Sequence, residues 1–233
     1  IEDCCESHGA EIYGKKVGTL SEGSTFSSYF GHHMTTVEGG FVSTDDTELY
    51  ELMRAKRSHG LARECSDEVY QEYIKQYPDV DKRFMFITDG YNFRNTEFGG
   101  VLGLSQLPRL DSIIKRRREV CDKFYDILLD YWDVFELPDF EGNSSFCLPF
   151  ILKDRAERIN FQEHLESKGI ETRPLCSGNL LRQPFLSEYE PFKEFPKVDY
   201  LHYHGFFIGN NHLITDDDIE KLKTIIDDYF KVL

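Results

Sequence analysis

Between Asp46 and Arg57 the apolar side chains Leu49, Leu52 and Met53 recur at helical spacing, whereas the preceding 45 residues carry only short apolar runs among Gly, Ser and Thr. Those runs, Thr25 to Phe30 and Phe41 to Ser43 after Gly39-Gly40, predict short strands joined by tight turns. Asp45 or Thr47 can cap the helix, and Gly60 can stop it. Residues 64–83 are polar and charged with scattered tyrosines, the pattern of a partly helical surface excursion. Phe84-Met85-Phe86-Ile87 predicts another strand, ahead of a loop through residues 88–94. A long helical pattern then runs from Thr96 to about Trp132 and is broken at Pro108, which lacks an N–H and whose ring clashes with the preceding turn.

Beyond Leu137 the periods alternate. Ser145 to Leu152 predicts a strand, Arg155 to Lys168 a helix closed by Gly169, and Ile170 to Leu175 a strand. After a loop rich in proline and aromatics come Tyr203 to Ile208 as strand and Asp216 to Phe230 as a helix with an acidic first turn. Such alternation forms a compact α/β layer unit. The break at Pro108 divides the chain into a first domain, residues 1–108, and a linker helix with a small second domain, residues 109–233.

Composition narrows the function classes. With 40% apolar and 14% aromatic residues, a 233-residue chain can build a sizeable core. A net charge of -15 argues against a nucleic-acid binder, because phosphate affinity comes from clustered Lys and Arg. The one basic run, Lys115-Arg116-Arg117-Arg118, lies in a helical pattern and reads as a solvated helix face. No apolar stretch approaches the ~20 residues that cross a bilayer, and no signal-peptide pattern opens the chain, so a soluble cytoplasmic protein is expected. The six cysteines show no C-x-x-C pair or zinc spacing and read as reduced thiols. Ile1-Glu2-Asp3 has no initiator methionine and reads as the end of a buried strand, which predicts an N-terminally truncated chain.

Individually, the candidate site residues are ambiguous. Asp3 at a strand end suits an ordinary loop-facing carboxylate as well as a ligand, and Ser27 suits any small polar position. His32 and His33 are adjacent, and neighbours on a strand point to opposite faces, so no metal site is expected there.

Their order is more specific. Glu2-Asp3, Ser7-His8-Gly9-Ala10, Lys16-Val17-Gly18-Thr19, Phe26-Ser27, His32, Glu38-Gly39-Gly40, Arg57-Ser58-His59-Gly60 and Gly90-Tyr91-Asn92-Phe93-Arg94 follow one another along the chain. Gln106-Leu107, Gly169-Ile170 with Arg173-Pro174, and Gly205-Phe206-Phe207-Ile208-Gly209-Asn210 continue the series. It resembles the successive landmarks of the sugar aminotransferase family of fold-type I pyridoxal phosphate enzymes over essentially the whole chain. The resemblance implies an α/β fold with part of a three-layer αβα large domain, which binds the cofactor, and a small C-terminal α/β domain.

Six residues before Glu38, where the aminotransferases carry the lysine that links to the cofactor, this chain has His32. With Ser27-Ser28 and Ser177-Gly178-Asn179, this replacement most resembles the GDP-4-keto-6-deoxymannose 3-dehydratase branch. An imidazole forms no stable imine with the cofactor aldehyde yet can move protons near neutral pH. The resemblance therefore implies a dehydratase that uses glutamate to convert pyridoxal 5'-phosphate to pyridoxamine 5'-phosphate. That form then removes the C3 hydroxyl of a nucleotide-linked 4-keto-6-deoxy sugar, as in the making of colitose-type sugars of O-antigen, with His32 moving the proton and ammonia released. By the same resemblance Asp3 pairs with the ring nitrogen of the cofactor, Ser27 binds its phosphate, and Asn92 binds phosphate across the interface of a homodimer. His59 and Arg63 match substrate-binding residues, with Arg63 suited to the glutamate carboxylate. Glu6 departs from the glutamine common in aminotransferases and receives no role. Three readings compete with this one: a nucleotide-sugar aminotransferase, an iron-sulfur dehydratase acting on CDP-sugars, and an inactive fragment. Cys65, Cys121 and Cys147 lie far apart in sequence, which counts against the iron-sulfur reading.

Overall fold

The computed structural model describes residues 1–192 and 194–231 and divides into two compact units, Ile1–Leu110 and Asp111–Leu233. In the first unit, β1 (Glu2–Asp3) is followed by a hairpin of β2 (Glu11–Ile12) and β3 (Lys15–Lys16), then β4 (Ser24–Ser27) and β5 (Gly40–Ser43). Tyr13 and Gly14 form the two-residue hairpin loop with φ of 50° and 73°, the paired left-handed geometry that matches strand twist. β1, β4 and β5 make one three-stranded sheet, with β4 central. β1 runs parallel to β4, pairing Asp3 with Thr25, and β5 runs antiparallel, pairing Gly40 with Ser27. The Glu2 carboxylate accepts from the amides of Gly18 at 2.7 Å and Leu20 at 2.8 Å, which fixes the turn leading into β4.

α1 (Thr47–Arg57) starts at Asp46, whose side chain accepts from the Leu49 amide at 2.8 Å; the cap is neither Asp45 nor Thr47. Gly60 closes the helix end by donating to the Ala55 carbonyl at 2.8 Å, with φ of +81°. The excursion beyond it contains α2 (Asp67–Gln76). Phe84 to Ile87 is not a strand: a 3-10 turn occupies Lys82–Phe84, and the segment pairs at the isolated bridge of Phe86 with Leu61. Without a continuous ladder, Met85 is buried while Phe84 and Phe86 stay exposed. α3 (Glu97–Gln106) ends in a 3-10 turn over Leu107–Arg109, and α4 (Leu110–Leu129) continues the chain. Pro108 marks that interruption as its chemistry requires.

The second unit adds β6 (Cys147–Ile151), α5 (Arg155–Ser167), β7 (Thr172–Arg173), α6 (Pro196–His204), β8 (Gly205–Gly209) and α7 (Asp216–Phe230). Its sheet has the order β6-β8-β7, antiparallel throughout. α4, α5 and α7 bury Phe124, Leu128, Phe161, Leu165, Leu222 and Ile226 against Leu148 and Phe150 of β6 and Phe206 and Ile208 of β8. α7 opens with a capping box in which Thr215 and Asp218 each accept the other's backbone amide.

Several strand limits differ from the sequence pattern. β6 begins at Cys147 because Ser145 is left-handed, with φ of 56°. β7 covers two residues of the span from Ile170 to Leu175. β8 begins at Gly205 because α6, with a proline in its first turn, takes up Tyr203 and His204. The basic run is not a uniformly solvated face either. Arg117 is 3% exposed, donates to the carbonyls of Phe146 and Asn210, and is lowered by burial to about 10. Arg116 binds the Ile214 carbonyl and Asp216. Among the described residues no helix is long and apolar enough to cross a membrane.

Candidate active site

Alternation along β4 sends Thr25 and Ser27 to one face and Ser24 and Phe26 to the other. Asp3, beside Thr25 on the parallel strand, joins the first group, and its carboxylate accepts from the Thr25 hydroxyl at 3.4 Å and the Cys5 amide at 3.1 Å. Hydrogen bonds from the Cys5 thiol and amide hold Asp3 below the usual carboxylate range, so it is a ready anion on an exposed edge. The Ser27 oxygen accepts from the Tyr29 amide at 3.1 Å, which leaves its hydroxyl proton for another acceptor. On the opposite face, Phe26 packs against His8, and His8 against His33.

His32 sits in the loop between β4 and β5, where its amide closes a turn onto the Tyr29 carbonyl at 3.1 Å. Its imidazole lies edge-on to the Tyr29 ring, 5.7 Å between centroids, with Nε2 3.8 Å from a Glu6 carboxylate oxygen. The His32 side chain is 9% exposed and that of Glu6 48%. His32 and His33 therefore diverge, although a turn rather than a strand separates them. Among the described residues no group of three or more His, Cys, Asp and Glu side chains gathers as a metal ion requires. Glu6, given no role from the sequence, is the carboxylate nearest the candidate base among the contacts described. In the sequence Glu6 stands out only as a departure from the family's glutamine; its contact with His32 depends on the turn through Cys5 and Glu6 that follows β1.

A second group forms around the end of α1. Ser58 bridges to Asn92, the His59 amide donates to the Tyr91 carbonyl at 2.7 Å, and His59 is left-handed at φ of 63°. This pairing puts the exposed His59 next to Asn92, whose side-chain oxygen accepts from Arg94 at 3.2 Å. The crossing is tight: a Cβ at Gly60 would lie 1.9 Å from the Thr88 carbonyl oxygen, and one at Gly90 2.2 Å from the Gly60 nitrogen. Arg63 turns toward the 3-10 turn instead, donating to the Arg83 carbonyl at 3.1 Å. Asp3, Ser27 and His32 thus belong to the sheet and its connecting loop, and His59 and Asn92 to the α1 crossing.

Comparison with known proteins gives this arrangement a family. The GDP-4-keto-6-deoxy-D-mannose 3-dehydratases of Escherichia coli O55:H7 and Yersinia pseudotuberculosis are each 34% identical to it over 232 residues, covering 97% of this chain. The chain spans 60% and 59% of the length of those two relatives. A solved structure of the E. coli GDP-4-keto-6-deoxy-D-mannose-3-dehydratase with bound hydrated PLP superposes with a TM-score of 0.83 at 31% identity, over 96% of this chain and 59% of that one. A second dehydratase structure, with a trapped PLP-glutamate geminal diamine, gives 0.82 at 31% identity, over 95% and 58%. The fold is the α/β fold of the PLP-dependent aminotransferases. The family model of the DegT/DnrJ/EryC1/StrS aminotransferases matches residues 1–227, and the chain belongs to that family.

Proposed function

We propose that the protein of which this chain forms at least a part is a pyridoxal phosphate-dependent dehydratase. It removes the C3 hydroxyl of a nucleotide-linked 4-keto-6-deoxy sugar, with GDP-4-keto-6-deoxymannose as substrate and glutamate as amino donor, in deoxysugar biosynthesis. The observation that carries this reading is His32, a nearly enclosed imidazole facing Glu6 at the position where the family's aminotransferases have lysine. The 34% identity to dehydratases of this substrate supports it.

The residues present fit the cofactor. Asp3, held ionised by its hydrogen bonds, suits a protonated ring nitrogen, and Ser27, with a free hydroxyl proton, suits a phosphate oxygen. The bound cofactor in its amine form supplies an electron sink that lets a carbon-oxygen bond break next to a ketone-derived carbon. His32 Nε2 takes and returns the proton that this cleavage requires, and Tyr29 and Glu6 hold the ring in orientation. Lacking a condensing amine, His32 makes no covalent link, so the cofactor is held by the hydrogen bonds and charges of Asp3, Ser27 and Asn92. Asn92 acts across a homodimer interface. The stacked rings of Tyr91 and Phe93, 57% and 70% exposed, flank it with the apolar surface that an interface covers. His59 binds substrate, and Arg63, 43% exposed with one N–H on the Arg83 carbonyl, keeps further N–H groups for the glutamate carboxylate.

Incubating the full-length protein with pyridoxal phosphate, glutamate and GDP-4-keto-6-deoxymannose tests the reading. Release of ammonia and a 3-deoxy ketosugar is expected, with no borohydride-trappable link to the protein. His32→Ala should lower the rate by about 10²- to 10⁴-fold, the usual contribution of a general base. A stable aminosugar product would overturn the assignment.

A further inference from the structure

The loop that carries His32 is held by a contact which the chemistry described so far does not use. We propose that Gln106 is a positioning residue for His32, fixing its loop through a two-way amide clamp on the backbone of Thr35. The inference rests on the reading of His32 as the proton-transferring base.

The Gln106 side-chain oxygen accepts from the Thr35 amide at 3.1 Å, and its nitrogen donates to the Thr35 carbonyl at 2.6 Å. A primary amide offers a donor and an acceptor side by side at every pH, matching the N–H and C=O of a single residue. Both contacts are partly buried, so losing either partner strands a backbone group that water reaches poorly.

The loop closes on itself and packs through His33 against His8, and the clamp adds its tie to α3. At its neck, the Thr36 amide donates to the Ser28 carbonyl at 2.8 Å, the two hydroxyls meet at 2.6 Å, and the Ser28 amide donates to the Gly39 carbonyl at 3.0 Å. These bonds hold residues 28–36 as a ring and tie it to Gly39, just ahead of β5. Thr35 is three residues beyond His32, and its contact with Gln106 fixes the ring against α3.

α3 is shaped for that contact. Gly99, Gly103 and Gln106 lie on one helix face by their spacing. A Cβ at Gly103 would touch the Thr36 methyl at 3.5 Å, and a Cβ at Gly39 would come 3.5 Å from the Asn95 side-chain nitrogen. On that face Gly103 lies against the loop, while Phe98, Val101 and Leu104 on the remaining surface are 81%, 66% and 72% exposed.

A base must be held within a fraction of an ångström of its target, and misplacement by about 1 Å can cost 10²-fold in rate. The test is the full-length protein with Gln106→Met, which keeps length and removes both hydrogen bonds, and with Gln106→Glu, which sets an oxygen against the Thr35 carbonyl. Amide exchange of residues 29–36 should rise about tenfold or more in both variants while α1 and β5 keep their protection. In turnover, kcat should fall by about tenfold with KM for the nucleotide sugar within twofold. Gln106→Asn, one methylene short, should behave like Gln106→Met and serves if that variant does not fold. Unchanged exchange at 29–36, exchange raised throughout the unit, or a change in KM alone would overturn the proposal. The exchange measurement needs no turnover, so failure of the dehydratase reading and failure of the clamp are separable.

Discussion

The two units of this chain hold themselves together by different means. In Asp111–Leu233 the rings of Phe135, Phe150, Phe161, Phe206 and Phe230 contact one another around a single centre, with Phe161 and Phe230 4.9 Å apart and Phe150 stacked on Phe206 at 5.2 Å. In Ile1–Leu110 the buried apolar residues are mostly small or thin, such as Ala55, Ala62, Cys4 and Met34, and the shape depends on hydrogen-bonded turns and glycine crossings. The first kind of order is tolerant, because a core accepts other apolar residues of similar volume. The second kind is positional: it sets where His32, Asp3 and His59 stand and leaves little room for a different backbone. The candidate site residues gather in the unit built the second way.

If that contrast is sound, core damage and turn damage should separate in measurement. The largest effect is expected from Phe161→Ala in the aromatic centre, which should destabilise the second unit by about 3–5 kcal/mol through lost burial and the cavity left behind. Denaturant unfolding followed by Trp132 fluorescence reads it, and a loss below about 1 kcal/mol would show that the rings are loosely packed. Gly60→Ala should cost about 1–2 kcal/mol for the left-handed alanine alone, and more for the backbone shift forced by a Cβ 1.9 Å from the Thr88 carbonyl oxygen. Its signature is local: amides of Tyr91 and Phe93, which pair with the end of α1, should lose protection while the second unit unfolds as before.

The smallest effect tests whether a turn in the second unit follows the rule of the first. Asp199 accepts from Arg182 at 2.7 Å and Asn179 at 2.8 Å, and chiefly the Arg182 guanidinium holds its carboxyl down to about 2 from an ordinary 3.8. A carboxyl depressed in the folded state contributes stability above its unfolded pKa and loses it as pH falls through the folded one. The turn at residues 179–182 should therefore loosen between about pH 4 and pH 2. A carboxyl-carbon titration of Asp199 should find its midpoint near 2, and Arg182→Gln should return it toward 3.8.

Legibility followed the same division. The helices α1, α5 and α7 and the break at Pro108 are legible because helical spacing and proline's missing N–H are local properties of the chain, whereas the cap of α1 falls on Asp46 between the two residues the sequence offers. α6 was missed because Pro196 to His204 shows no apolar stripe, and Phe84 to Ile87 was over-read because an apolar run does not reveal whether a partner strand lies alongside. Arg117 looked solvated within a basic run, and only the carbonyls of Phe146 and Asn210 explain its burial. At the site, the order of short motifs singled out Asp3, Ser27, His32, His59 and Asn92. Glu6 and Gln106 could not be given their contacts that way. Glu6 acts through a fold of the chain, and Gln106 reaches a residue 71 positions away.

By itself the sequence determined the helical periods, the proline break and the residue types available for chemistry, since each depends on neighbours within a few positions. The tertiary structure decided which strands pair, that His32 and His33 face apart, that Glu6 faces the imidazole, and that Thr35 is clamped from α3. These depend on through-space hydrogen bonds and packing between residues distant along the chain, and no local pattern encodes a partner's position.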